Sequence, residues 1–300
     1  MPLPSPYMLR RHASVATLLL CPALLCACDG SLVVDITDAP IDDAERVVLE
    51  VPAIELLDSD GATVTVDTDN ADSFDLLDYQ DGNTLRLVSE NFDESTRFLG
   101  IRPRFDDGDA YVRTSSGGHV PIEIIGKGDF ATLTFTLESE QSTAIVIDLD
   151  LRFSLIDRVD DLGVYEMLPV VRAIDADTAG RLAGSVDIAI LTDDSCRGDR
   201  STGDGVAVYL YDGSDVTPVD YVNDGSVVAS DPPIASAGVR YDGDSGTWGY
   251  RFGYVTPGDY TVALTCEADD ENPLSDDDLD FWSSANATVT EAGTTTLNFE

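Results

Sequence analysis

The chain has 300 residues, with 57 acidic side chains against 17 basic ones, a formal charge of −40 and a pI of about 4.1. Such a surface cannot neutralise phosphates, which excludes a nucleic-acid binder, and it gains nothing electrostatically from anionic lipid headgroups. Yet 43% of the residues are hydrophobic and the mean hydropathy is −0.03, so the chain can bury a core, and its length suits two domains of ordinary size.

The N-terminus reads as a targeting segment. Arg10 and Arg11 precede an apolar run, 13–25, that is too short to span a bilayer, which needs about 20 apolar residues. The run ends in Leu25-Cys26-Ala27-Cys28, which resembles the bacterial lipobox, with Cys26 standing where Ala, Ser or Thr is usual. The resemblance implies a lipoprotein signal peptide over 1–27 and a diacylglyceryl group on the thiol of Cys28. The plainer alternative is a secretory signal with an incidental cysteine. Cys21 and Cys26 leave with the signal, so an exported chain keeps Cys196 and Cys266 for one disulfide.

Beyond Cys28 the pattern is that of strands. Residues 31–37, 46–56, 62–67 and 131–137 are rich in Val, Ile, Leu and Thr between Asp/Gly/Asn clusters. Residues 73–79 read as a short helical turn. The clearest alternation covers 145–155, which predicts one half-buried strand with Val146, Asp148, Asp150, Arg152 and Ser154 on its outer face. On that face Arg152 offsets the charge of Asp148 and Asp150. A further strand is expected over 165–174, and a polar stretch at 175–180 marks a boundary. The chain thus divides into a leader (1–27), a first β domain (28–178) and a second (179–300), the last holding both tryptophans. The fold class is all-β, with two β-sandwiches of Ig-like or prealbumin-like type.

Little in the sequence carries catalytic chemistry. His119 is the only histidine after the leader, and a surface role suits its Ser-Ser-Gly-Gly-His setting. Paired carboxylates of the glycosidase kind are too easily drawn from 57 acids to single out any pair. Calcium is the more serious possibility, since a hard cation takes oxygen ligands from clustered Asp. Asp242 and Asp244 are one candidate; 67–72 and 269–271 with 276–280 are others, and solvated loops are the plain alternative for all of them. In the second domain Trp248, Tyr250, Phe252 and Tyr254 share one strand face that reads as core. Tyr209 and Tyr211 lie opposite Val206, Val208 and Leu210, so they are the rings expected to form an exposed ligand platform.

The run Leu32-Val-Val-Asp-Ile-Thr-Asp-Ala-Pro-Ile-Asp-Asp-Ala44 resembles the opening of a bacterial family known as domain of unknown function 4382. Asp148-Leu-Asp-Leu-Arg-Phe-Ser-Leu155 and Tyr165-Glu-Met-Leu-Pro-Val-Val-Arg-Ala173 continue that resemblance, which covers about 31–178. Family members often carry Gly-x-Tyr before Ile101-Arg102, and this chain does not. The resemblance implies an exported lipoprotein with a sandwich-like fold and no known activity. Gly205-Val-Ala-Val-Tyr-Leu-Tyr211 and 250–261 resemble prealbumin-like modules of the carboxypeptidase regulatory or collagen-adhesin B type, which serve as spacers, stalks or binding units. The expectation is a non-catalytic binding, adhesion or structural module, facing the periplasm or exterior from either membrane of a bacterial envelope. Its partners would be the membrane, through Cys28, and a glycan or another envelope component. A carboxylate-dependent polysaccharide hydrolase and a calcium-dependent surface module are the alternatives.

Overall fold

The computed structural model describes residues 30–300 apart from 40, 43, 70–71, 93–94, 197, 200 and 224–230, and for 39 and 107 the backbone alone. The leader and Cys28 lie outside the described residues.

The N-terminal part contains β1 (Gly30–Ala39), β2 (Ala44–Asp58), β3 (Thr63–Asp67), β4 (Phe74–Asp75), β5 (Leu85–Phe92) and β6 (Thr96–Thr114). It continues with β7 (His119–Ile124), β8 (Ala131–Leu137), β9 (Ser142–Asp150), β10 (Leu155–Arg158), β11 (Val164–Met167) and β12 (Val171–Asp175). The C-terminal part contains β13 (Gly180–Val186), β14 (Ala207–Asp212), β15 (Ala235–Gly238), β16 (Arg240–Asp242) and β17 (Thr247–Val255). It ends with β18 (Gly258–Thr265), β19 (Phe281–Val289) and β20 (Thr294–Thr296). Among the described residues no helix is long and apolar enough to cross a membrane.

Each part is two sheets face to face. In the first, β12-β9-β1-β5 oppose an eight-stranded sheet running β10-β11-β7-β6-β2-β3, with β4 beside β2 and β8 beside β6. Val34 and Ile36 of β1 lie beside Ile145 and Ile147 of β9 in a parallel register, and they share one core with Leu49, Ile54 and Leu56 of β2. In the second, β16-β17-β13-β20 oppose β15-β14-β18-β19 over Leu182, Val208, Leu210, Tyr250, Phe252 and Leu264. Strand pairing among the described residues divides between Asp175 and Gly180.

Two sequence expectations need correction. The alternation over 145–155 is not one strand: β9 stops at Asp150, and Leu151–Ser154 form a single helical turn before β10. The Asp150 carboxylate accepts the Phe153 N–H at 3.3 Å, a cap that competes with continuing the ladder. Nor is the outer face solvated, because Val146, Asp148 and Asp150 are all buried. The expected strand over 165–174 is two strands, β11 and β12, parted at 168–170. There Leu168 and Val170 donate to Ser154, at 3.0 Å to its carbonyl and 2.9 Å to its hydroxyl, and Pro169 has no N–H to give. The short turn expected over 73–79 is present as a 3-10 turn, Leu76–Asp78, capped by Asp75.

Cys196 and Cys266 form a disulfide with Cα atoms 5.0 Å apart and a sequence separation of 70, tying the segment ahead of β14 to the end of β18. In the chain-entropy picture, closing a loop of that length stabilises by about 4 kcal/mol. Denaturant unfolding of the Cys196→Ser/Cys266→Ser variant is expected to show a loss of that order; a loss below about 1 kcal/mol would mean that the native fold strains against the bridge.

Candidate functional site

The parallel pairing of β1 and β9 brings their C-terminal ends side by side, with Thr37 opposite Asp148 and Ala39 opposite Asp150. Asp38, Asp148 and Asp150 therefore gather at one end of the sheet, and the helical turn that follows projects Arg152 and Phe153 beyond it. All five are buried. What covers them is the C-terminal sandwich.

The contacts across this seam are specific. Asp150 accepts the Ser236 N–H at 2.5 Å and its hydroxyl at 3.0 Å. Arg152 donates to Asp42 at 2.7 Å and to the Ala268 carbonyl at 2.5 Å, so its guanidinium touches both sandwiches. Arg172 pairs with Asp148 and reaches the Tyr254 carbonyl at 3.4 Å. Arg240 reaches the Ile41 carbonyl at 3.3 Å. Backbones meet directly at Gly82 and Gly253, where a Cβ on Gly253 would lie 2.6 Å from the Gly82 Cα, so a side chain at Gly253 would force the sandwiches apart, while Gly82 takes a φ of +94° that favours glycine.

Phe153 completes the seam. Its ring stacks on Tyr221 at 4.4 Å and meets Tyr209 edge-on at 5.4 Å. Tyr209 and Tyr211 do point away from Val208 and Leu210, but the exposed platform expected from them is absent: both rings are 0% accessible. They form a second core with Phe153, Ala207, Ala263 and Leu279 on the outer face of β14 and β18. A strand two-sided in this way looks half-exposed in sequence because Tyr is amphipathic. Here each hydroxyl has a partner, Tyr209 donating to Glu271 at 2.7 Å and Tyr211 to the Val219 carbonyl at 2.5 Å.

Behind Tyr209, the carboxylate oxygens of Asp220, Glu271 and Asp277 lie within 4.8 Å of one another, a spacing suited to a hard cation. Two of these come from the 269–280 cluster seen in the sequence; Asp220 was not foreseen. Asp242 is used differently, with one oxygen accepting the Asp244 N–H at 2.9 Å and the other the Ser245 hydroxyl at 2.8 Å. Those bonds, the Ser245 hydroxyl first, hold its carboxyl below the usual range and shape the turn between β16 and β17. In 67–72, positions 70 and 71 lie outside the described residues. His119 is exposed on β7 and stacks on Tyr111 at 4.7 Å. Trp248, Tyr250 and Phe252 are core, as their shared face suggested, whereas Tyr254 turns to the seam and donates to the Gly82 carbonyl at 3.3 Å.

Burial dominates the electrostatics. It pushes Asp150 from 3.8 up to about 6, with the neighbouring Asp148 charge adding to the rise and the Ser236 donors opposing it. Burial raises Asp38 in the same way, against a hydrogen bond from Gln80. Glu271 is pushed up to about 8 by burial despite the Tyr209 hydroxyl and the Tyr221 N–H. Burial alone would lower Arg152; the charge and hydrogen bond of Asp42, with Asp150 nearby, outweigh it and keep the guanidinium charged. Asp38, Asp42, Ser236 and Asp220 escaped the sequence reading because what distinguishes them is burial by a distant segment, not local pattern.

Two outcomes follow for the seam. Arg152→Ala leaves Asp42 buried without its partner and is expected to cost about 3–5 kcal/mol by denaturant unfolding. Asp150 holds a proton in the folded state that the unfolded chain releases, so its share of stability, up to roughly 3 kcal/mol, is present below about pH 4 and lost as pH rises through about 6. Thermal unfolding across that window should therefore fall less steeply in Asp150→Asn than in the parent chain; parallel slopes would contradict the assignment.

Comparison with known proteins agrees with the resemblance of the first β domain to a family of unknown function. Residues 29–169 match the model of a domain of unknown function, DUF4382. No curated protein matches the chain. Among solved structures, a leucine-rich repeat protein from Bacteroides thetaiotaomicron shows a TM-score of 0.23 at 12% identity, covering 90% of this chain and 26% of that one. The Bacillus anthracis TIE protein gives 0.20 at 11%, covering 91% and 34%, so this chain spans about a quarter to a third of the length of these two. The minor pilin GBS52 of Streptococcus agalactiae gives 0.20 at 12%, covering 91% and 95%. Likeness at this level carries no functional assignment. The match is confined to residues 29–169, and the family it points to has no assigned function.

Proposed function

We propose that the protein is a non-catalytic, lipid-anchored envelope module in which the N-terminal sandwich holds the C-terminal one away from the membrane. The observation that carries this reading is the course of β1. Its first residue, Gly30, follows Cys28 by two positions, and its far end, Thr37 and Asp38, is buried in the seam. Nine steps of about 3.3 Å separate the ends by roughly 30 Å. A diacylglyceryl group on Cys28 would leave the Gly30 end, with Phe92 and Gln141 beside it, at the bilayer. The C-terminal sandwich would then stand on the far side.

The seam supports this arrangement, since contacts buried on both sides fix the angle between the sandwiches. The buried acids support the absence of catalysis. Asp38, Glu55, Asp75, Asp148, Asp150 and Asp220 each accept at least one N–H within the fold. A glycosidase pair instead faces substrate across about 5–10 Å of open cleft. For a glycan or envelope partner, the rings open to contact are Tyr241 and Trp282, 56% and 39% exposed, in place of Tyr209 and Tyr211.

The test joins anchoring to orientation. Cells fed an alkyne fatty acid should label the chain and retain it in the membrane fraction, and Cys28→Ser should lose both. A dye on Glu140→Cys, beside the Gly30 end, should be quenched by headgroup-linked quenchers, while a dye on Asp244→Cys, at the end of β17 remote from the seam, should not. Unlabelled chain, or equal quenching at both positions, would overturn the proposal.

A further inference from the structure

We propose that a groove in the N-terminal sandwich binds an organic monocarboxylate. It lies where β6 loses a neighbour. On the edge away from β2, β8 pairs with residues 96–101 and β7 with 111–113, so residues 102–110 have no strand partner there among the described residues. The chain leaves β6 after Pro121, pairs with β11 through Ile122–Ile124, and rejoins β6 at Ala131. Gly126 and Gly128 hold it away. A Cβ on Gly126 would lie 2.7 Å from Leu168 Cδ1, and one on Gly128, whose φ is +68°, would lie 2.3 Å from the Pro169 carbonyl oxygen. The segment therefore packs on 168–169, and the space left beside β6 is a cavity of about 330 Å³, a small-molecule size.

Its walls combine charge with apolar surface. Arg102, Arg104 and Lys127 face Glu55 and Asp106 around it, leaving one positive charge in excess on a chain whose total is −40. Lys127 is the only lysine in the sequence. Arg102 is committed: it donates to Glu55 and, at 3.0 Å, to the Gly128 carbonyl, and its guanidinium lies 4.1 Å over the Phe130 ring. Arg104 is exposed and has no ion pair among the described residues. The Lys127 side chain, 66% accessible, makes one contact of 3.2 Å, to Glu55. These two supply the free donors.

The balance of charge selects the ligand. A carboxylate matches both the guanidinium fork and the single excess charge. A phosphate, at about −1.5 to −2, would exceed that charge and meet Glu55. Phe105, Ile124 and Ile125, the last 49% exposed, offer an apolar wall to the body of an organic acid. Insertion of a peptide strand beside β6 is disfavoured, because Arg102 crosses the gap to Gly128 and Pro103 has no N–H to pair. The rest of the surface repels anions, so binding has to be local.

NMR titration of the purified protein at physiological ionic strength tests this with glucuronate, phenylacetate, glucose and inorganic phosphate. At least one carboxylate should saturate, shifting the amides of Ile124, Ile125 and Lys127, while glucose and phosphate should not. Arg104→Ala/Lys127→Ala should weaken that binding at least about tenfold. Arg113→Ala, which breaks an exposed pair with Glu45, should leave it unchanged. Response to glucuronate alone points to a uronate unit of a polysaccharide, and response to phenylacetate points to a free acid. Saturation by neither carboxylate, equal response to phosphate, or unchanged binding in the double variant would overturn the proposal.

Discussion

A guanidinium taken out of water must be met by acceptors, or the burial costs several kcal/mol. Arg152, 6% accessible, finds Asp42 on the N-terminal sandwich and the Ala268 carbonyl on the C-terminal one. Both bonds leave the same terminal nitrogen, so this bridge exists only while the two sandwiches are closed around it. This requirement reaches back into the sequence: β9 must end at Asp150, and the chain must make one helical turn there, for Arg152 and Phe153 to point outward. Asp150 serves both needs, capping the turn with one oxygen, which also accepts the Ser236 hydroxyl, and accepting the Ser236 N–H with the other.

Closure changes what every nearby residue experiences. The far ends of β1 and β9 become buried on both faces, and Tyr209 and Tyr211 become core instead of surface. Acids near one another in a buried seam resist ionisation, which raises Asp38 and Asp150, chiefly through burial. The same closure ties the two sandwiches together, which is what the proposed module, anchored at one end and presenting the other, requires.

Much of this architecture was legible in the sequence, because period-two patterning and Asp/Gly/Asn breaks are local signals. The strand at 131–137, the turn at 73–79 and the Cys196–Cys266 bridge were readable for that reason. Where the reading failed, a distant segment decided the outcome. The alternation at 145–155 continues through Arg152 and Phe153, and nothing within those eleven residues says that another sandwich will receive them. Tyr209 and Tyr211 were placed on the correct strand face, but period two cannot say whether a face meets water or a second layer. Glu271 and Asp277 were visible as acids in a cluster; Asp220 joins them only through the folding of the 216–221 segment over β14. The groove beside β6 depends on Gly126 and Gly128, whose role is apparent only once Leu168 and Pro169 lie against them.

Hydrogen exchange by mass spectrometry across a denaturant series tests the central claim that the seam makes one cooperative body of the two sandwiches. If it does, amides of β1 and β9 and those of β14 and β18 will open together, with a single free energy and a single denaturant dependence. Opening of β14 and β18 at lower denaturant, while β1 and β9 stay protected, would show that the sandwiches fold as independent units and that the seam does not couple them.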